Sequence, residues 1–494
     1  MGNDIEAARI AARDSFERLL AEVDDGRARR LWDFERRLWS SLLGLGRALV
    51  VLFLVRQAQR PRPTVYRAGG SQYLLEGHRT SSVATRFGKV DFTRPIGRLA
   101  DARSAAADLP VDRELGLCSG FSPAVVMAMT RLCAQLAFLP ARSMFRYFHE
   151  WTPSSRAVLR MVDAVGDEAR PFLEALPPPK GEGEVLVLEV DGGGAPTIHH
   201  RELRRRRKRH QRRRPGTTRR HHRHAKRHGN THKRRRKGEK SKNAKVAFVG
   251  VLYSLRTTPA GREGPINKRI IATFESHEAL FKWLQREAIK RGYGLKPCLF
   301  LADGSDHIWR LQQKYLPLAE VCIDWFHIIE KVWAAGECLH PEGSKQLTAW
   351  VKQLKSLLRR GSYRTVITKL CKALRRVPKT GPGNKGKRER LSKVIRHLFK
   401  HRHRLRYDEL RKRDLVIGTG AVEGAVRNLV RLRLDGPGMR WGLERSERIL
   451  HLRCVLISNL WDELSTHVAD LPSLKLRGAP IPASPYDATR RLVA

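Results

Sequence analysis

Apolar residues recur at three- and four-residue intervals over IEAARIAARDSFERLLAEV and LWDFERRLWSSLLGLGRALVVLFLV, which predicts two helices within residues 5–60 and a helical hairpin between them. The apolar run at 42–55 contains Arg47 and is too short to span a bilayer, so it reads as a buried helix. Residues 60–115 mix Gly, Pro and Arg without a clear period and allow a short strand at 72–75. A Ser-Pro start opens an amphipathic helix over 122–138, and LPARSMFRYFHEWTPSSRAVLRMVDAVG gives two more helices broken at Thr152-Pro153. This pair suits either a helix-turn-helix, with its second helix in a major groove, or ordinary helical packing.

The pattern changes after the linker PPPKGEGE at 177–184. VLVLEVDGGG is an apolar run ending at Asp191 and reads as a buried strand; KVAFVGVLYSL and RIIATFES follow as strands, EALFKWLQREAIKRG as a helix, PCLFLAD (297–303) as a buried strand, SDHIWRLQQKY as a helix and EVCIDW as a short strand. Residues 341–414 read as wholly helical and basic around the loop KTGPGNKGKR, before IGTGAVEGAVRNLVRLRL begins a further helix with Thr419 as its expected N-cap. Three strands, a helix, two more strands and a late helix form the order of a ribonuclease-H-like domain. The expected fold class is therefore α/β: a ribonuclease-H-like catalytic domain with an all-α insertion, preceded by a mainly α-helical N-terminal region. The expected boundaries are 1–180 for that N-terminal region, 182–340 and 415–465 for the two parts of the catalytic domain, 341–414 for the insertion and 466–494 for a flexible tail.

Charge then narrows the partner. Among 494 residues, 97 Lys+Arg against 49 Asp+Glu leave a formal charge of +48, which points to nucleic acid. Residues 201–245 hold 23 Lys/Arg and two acids, so this stretch alone supplies +21. Too basic and too poor in apolar residues to fold alone, it is expected to be a disordered arm in the loop of a hairpin. Arg204, Arg205, Arg206, Arg207, Lys208, Arg234, Arg235 and Arg236 are its candidate DNA contacts, adding salt-sensitive affinity through counterion release; RNA binding or an import-like basic signal fits the same composition. The seven scattered cysteines include no C-x-x-C pair and imply a reducing compartment, and the acidic amphipathic start lacks the features of a secretory signal.

GPGNKG at 381–386 matches a dinucleotide fingerprint and, extended to Lys387, a phosphate loop, but no apolar strand precedes it and Arg388 stands where a magnesium-binding Ser or Thr is needed. The eight histidines between His199 and His232 are irregularly spaced among arginines whose charge opposes a metal. Three acids form the stronger signal. Asp191 and Asp303 each end an apolar strand before Gly, and Glu423 lies in the first turn or so of the helix opened by GTGAVEG. Taken singly, each has an ordinary explanation as a turn former or a helix-start acid. Converging carboxylates suit Mg²⁺, and two such ions about 3.5–4 Å apart can activate an attacking oxygen and steady a leaving one.

VLEVDGGG, LADGSDHIWRLQQKYLPLAEVCIDWFHIIEKVW, IGTGAVEGAVRNLVRLRLDGPGMRW and ERILHLRCVLISNLWDEL together resemble the DDE transposases of bacterial insertion sequences, in the Mutator-related group and its ISKra type, over residues 185–460. The resemblance implies that Asp191, Asp303 and Glu423 are catalytic and hold two Mg²⁺ or Mn²⁺ ions. It implies an all-α insertion between the second acid and the glutamate, as the 341–414 helices suggest. It makes Asp324-x-x-His327 the family's C/D-x-x-H signature, and sets Arg427, Arg433 and Gly438–Trp441 as the arginines and G-M-R-W turn after the glutamate. Asp306 is the nearest competitor for the second acid and Asp324 the runner-up. His327 is a supporting residue or a structural histidine, and Arg427 a phosphate contact, an orienter of Glu423 or a salt bridge. Arg431 and Arg433 are candidate DNA contacts, and Trp309 and Trp441 either stack on an unpaired base or belong to the core. The cysteine pairs common in the family's N-terminal region have no counterpart at 60–115, and the 201–245 arm is longer and more basic than the family's hairpin loop.

The function expected on these grounds is a cytoplasmic, nucleoid-associated DNA transposase, with no membrane partner, acting as a homo-oligomer. It would bind terminal inverted repeats through residues 1–180, with 139–166 as the recognition pair, cleave the ends of its insertion sequence and join the 3′-OH ends to target DNA. A non-catalytic nucleic-acid-binding protein derived from a transposase and a structure-selective nuclease are the alternatives.

Overall fold

The structure, a computed structural model, describes residues 2–25, 30–99, 107–198, 244–436 and 439–471 and the isolated positions 202, 205, 474 and 476. The expected disorder of the arm, with Arg204, Arg206, Arg207, Lys208, Arg234, Arg235 and Arg236, lies outside the described residues, as do Gly438 and most of the expected tail. The chain forms two compact units, one of residues 1–172 with 459–494 and one of Leu173–Ser458.

In the first unit, helices α1 (Gly2–Asp24) and α2 (Leu31–Ala58) lie side by side. The apolar run inside α2 is not the buried helix expected. Only Leu43, Gly46 and Leu54 of α2 are buried, and α2 is the one described helix long and apolar enough, by length and composition, to cross a bilayer. Leu54 joins Val83, Val90, Phe92 and Val111 in one core. Three of those residues come from an antiparallel sheet of β1 (Val65–Ala68), β2 (Ser71–Thr85) and β3 (Gly88–Leu99), in chain order, of which the sequence reading caught only the 72–75 part of β2. β2 is exposed continuously from Glu76 to Thr80, so no in–out alternation marks it as a strand, and the N-terminal region is less purely helical than expected. Helices α3 (Pro110–Glu114), α4 (Pro123–Gln135), α5 (Phe138–His149) and α6 (Ser155–Ala175) follow. Ser122 caps α4 by accepting from the Val125 N–H, and α5 stops at Glu150 in a left-handed conformation (φ 60°), just before Thr152-Pro153. The last helix, Trp461–Ala469, belongs to this unit, with Arg131 over the Trp461 ring and His467 against Phe172. The second unit therefore closes at Ser458, where 465 was expected, and the helix continues to Ala469, past the expected start of the tail.

The second unit is mixed α/β, built on a five-stranded sheet in the order β6-β5-β4-β7-β8. β4 (Val185–Pro196) pairs antiparallel with β5 (Ala244–Thr258) from Val185↔Leu255 to Pro196↔Ala244, and β5 pairs antiparallel with β6 (Gly261–Thr273). On its other side β4 runs parallel to β7 (Cys298–Ala302), from Leu186↔Cys298 to Val190↔Ala302, and β7 runs parallel to β8 (Glu320–Ile323). Val185–Val190 of β4 and all of β7 are buried, as expected of near-continuous apolar runs with both faces covered. Helix α7 (His277–Lys290) links β6 to β7, and α8 (Asp306–Tyr315) is the crossover from β7 to β8. Beyond β8 come α9 (Trp325–Gly336), α10 (Lys345–Arg359), α11 (Tyr363–Arg376), α12 (Asn384–Lys400) and α13 (Tyr407–Lys412), helical over the stretch read as helical. The short α14 (Gly420–Val426) runs into a π turn at Arg427–Arg431, and α15 (Leu443–Ile457) closes the unit. Thr273 Oγ1 and the Phe274 N–H donate to Glu447 of α15 at 2.6 and 2.7 Å, which fixes that helix to the end of β6.

Candidate active site

β4 does not end at Asp191 as expected but runs on to Pro196, with Asp191 paired to Val249 of β5; its parallel pairing with β7 is what stops there. The last paired residues are Val190 and Ala302, and the next ones are Asp191 and Asp303. Adjacent strands lie about 4.8 Å apart, so the register alone brings these two acids together. Asp303 Oδ1 accepts from the Ser305 N–H at 2.9 Å, which shapes the turn into α8. Glu423 is exposed on the first turn of α14. Burial lifts the Asp191 carboxyl above its ordinary range and the negative charges of Asp303 and Glu423 raise it further, while the Gly192 N–H and Arg431 pull it back. Asp303 and Glu423 thus each act on Asp191. As the side chains lie, no group of three or more His, Cys, Asp or Glu among the described residues stands close enough together to hold a metal ion. The donor set nonetheless suits a hard divalent cation: the oxygen ligands are carboxylates, and the repulsion that raises Asp191 is what such a cation relieves.

Three residues on one face of β4 govern how α14 meets the strand. At the period of two, Glu189, Asp191 and Gly193 point the same way. A Cβ on Gly193 would come within 2.9 Å of Val426 Cγ1 and 3.2 Å of Val430 Cβ, so only glycine lets α14 and its π turn lie this close. Thr419, the expected N-cap, makes no side-chain cap bond; its hydroxyl donates to Glu423 Oε1 at 3.2 Å. The Val422 N–H at the start of α14 is instead accepted by Glu189 Oε2 at 2.8 Å. Burial pushes the Glu189 carboxyl up to about 7, against the hydrogen bonds from Tyr253 and Val422.

Asp306 is separate from this group: its side chain is 58% exposed and paired with Lys400 at 2.5 Å. Asp324 is buried with both oxygens engaged, Oδ2 by the His327 N–H at 2.7 Å as cap of α9 and Oδ1 by the Thr419 N–H at 2.9 Å. It thus braces the approach to α14. His327 is half-buried and within electrostatic reach of Asp303; burial and Lys331 lower its pKa, while Asp303 and Asp324 raise it. Arg427 and Arg431 are exposed, Arg431 near enough to act on Asp191, and Arg205 is exposed as well.

Three candidate DNA contacts are corrected. Arg433 is 1% exposed, with its guanidinium over the Trp441 ring at 4.7 Å. Trp441 is 6% exposed, donates from Nε1 to the Leu434 carbonyl, and exchanges backbone hydrogen bonds with Pro196 and Ile198 just past Asp191. Trp309 is 3% exposed, edge-on to Phe300 and covered by Arg404 at 4.3 Å. Amphipathic-helix and turn-tryptophan packing accounts for all three, and neither indole offers a free face to a base.

The sequence reading missed Glu189 and four features near Asp303. His277 and His307 have ring centroids 5.0 Å apart, and the Asp303 charge raises the His277 pKa against the stronger lowering by burial. His397 of α12 reaches Gly304: a Cβ there would overlap the ring, 2.8 Å from Nε2. His397 also stands 5.7 Å from the His327 ring and 4.7 Å from the His401 ring, and burial lowers its pKa to about 3. Gly304→Ala is expected to lower stability by about 1–3 kcal/mol through overpacking against His397. His397→Ala in the same chain should restore most of that loss in denaturant melts, since it removes the clashing ring. A single local signal was present, the Gly after Asp303.

No family model matches the chain, and no curated protein matches it.

Proposed function

We propose that this protein is a DNA transposase with a ribonuclease-H-like catalytic domain, cutting at the ends of a mobile element and joining the freed 3′-OH groups to target DNA. The observation that carries this reading is the shared edge of β4 and β7, where Asp191 and Asp303 meet and the charge of Glu423 reaches Asp191. Two further features support it. Numbered within the second unit, the strands run 3-2-1-4-5, with the first three antiparallel and the last two parallel, the arrangement the ribonuclease-H reading calls for. The α10–α13 helices, read as the insertion, fall between the second acid and the glutamate.

Asp191, Asp303 and Glu423 would hold two Mg²⁺ or Mn²⁺ ions, which when bound activate the attacking oxygen and stabilise the leaving one. Around them Arg427 and Arg431 are set to neutralise phosphates of the bound strand. The first unit is assigned to the terminal inverted repeats, with α5 and α6 as the recognition pair. Pairing two ends calls for a homo-oligomer, and a DNA substrate calls for the cytoplasm and nucleoid.

The test is a labelled DNA carrying the flanking repeats, incubated with protein and Mg²⁺ or Mn²⁺ or with chelator. Metal-dependent nicking at the repeat ends followed by strand-transfer products is the expected result. Cutting without joining would make the protein a nuclease, and binding without cutting under either metal would make it a non-catalytic binder. Replacing Arg204–Arg207, Lys208 and Arg234–Arg236 with glutamine is expected to weaken binding to all sequences alike. It should also flatten the slope of log K against log salt by about 0.9 per lost phosphate contact, read by filter binding across a salt series.

A further inference from the structure

Glu189 is 1% exposed within the otherwise apolar run Val185–Val190 of β4. A buried carboxylate is costly compared with an apolar residue of similar volume, so what it holds must matter. Tyr253 Oη on the neighbouring strand β5 donates to its Oε1 at 2.7 Å, and the Val422 N–H donates to its Oε2 at 2.8 Å. Val422 immediately precedes Glu423. With seven residues, α14 is too short to persist without tertiary support, and Thr419 gives it no side-chain cap. The first turn of α14 is therefore tied at two points: Glu189 takes the Val422 N–H and Asp324 takes the Thr419 N–H. The first tie leads to the strand that carries Asp191, two residues away on the same face.

We propose that Glu189 is a positioning residue: it fastens the first turn of α14 to β4 and so sets the reach of Glu423 toward Asp191. It acts through α14 and not as a DNA contact, being 1% exposed with each oxygen accepting a hydrogen bond from the protein. This inference rests on the metal-dependent reading of the three acids.

The test compares full-length wild type with Glu189→Leu and Glu189→Gln. Leucine fills the space without leaving a buried charge, and so keeps the fold while removing the acceptor. Glutamine keeps an acceptor for Val422 and a donor for Tyr253. Glu189→Leu is expected to bind Mn²⁺ about 10–100-fold more weakly by calorimetry, the range for loss of a residue that orients ligands. Its kcat for cleavage should fall by a similar factor, with repeat-DNA affinity unchanged. Glu189→Gln is expected to stay close to wild type in all three measurements. If Glu189→Leu binds Mn²⁺ and cuts like wild type, Glu189 positions nothing and the inference is wrong. If Glu189→Gln is as inactive as Glu189→Leu, Glu189 acts through its charge and the positioning role is wrong. Wild type that neither binds Mn²⁺ nor cuts would overturn the metal-dependent reading itself, and the inference with it. Hydrogen exchange of the peptide spanning 419–427 keeps these failures apart, since it rises in Glu189→Leu only if the tie exists.

Discussion

Asp191→Ala, Asp303→Ala and Glu423→Ala are each expected to lose metal-dependent cleavage and joining by more than about 100-fold, because groups that merely orient metal ligands already cost about 10–100-fold when removed. Repeat binding, measured by gel shift without metal, should persist, since it draws on the charge of the rest of the chain. A second signature separates loss of chemistry from loss of fold. Asp303 and Glu423 each repel Asp191, so removing any one of the three relieves repulsion in the metal-free protein. The alanine variants should therefore melt no lower than wild type without metal, and lose the stabilisation that Mg²⁺ gives wild type. Variants that cut as well as wild type would refute the catalytic assignment.

Gly193→Val is expected to cost about 1–3 kcal/mol in urea unfolding, the range for overpacking a filled interior. Activity should suffer more than stability. The new side chain starts 2.9 Å from Val426 Cγ1 and pushes α14 off the strand, carrying Glu423 with it. A misplacement of about 1 Å at a reacting centre can cost about 10²-fold in rate. The matched control is Gly194→Ala on the opposite face, where a Cβ would meet Ala244 at an ordinary 3.7 Å. It should fold and cut nearly as wild type does, and equal damage from both would mean that closeness to α14 is not what Gly193 supplies.

The parts of the second unit that could be read in advance are those whose signal is local. VLVLEV, RIIAT and CLFLA are apolar runs in buried stretches of strand, and Asp191 and Asp303 announce themselves as the acids that end two of them before glycine. Glu189 sits in the first of those runs with no local sign of its role, because its partner Val422 lies 233 residues away. His397 was invisible for the same reason, its contact with Gly304 being long-range. The hairpin of β2 and β3 escaped because HRTSS is polar on both faces of an exposed strand. For Trp309 and Trp441 the core alternative holds, and Arg433 was misplaced: their types suit DNA contact, and only burial, which a sequence does not display, assigns them to the interior.

The shortness of α14 has a consequence for the life of the chain before it is complete. Asp191 and Asp303 leave the ribosome with Glu423 still 120 residues behind (423 − 303). Until β4, β5 and the cap at Asp324 are in place, a seven-residue helix has nothing to form against. A nascent or prematurely terminated product would already carry most of the positive charge that binds DNA, yet would lack the third carboxylate in its working position. Such a product would occupy DNA without nicking it. Under the proposed transposase function, nicking would thus be deferred until synthesis has passed Glu423, and fragments ending before Gly420 would compete with the intact protein.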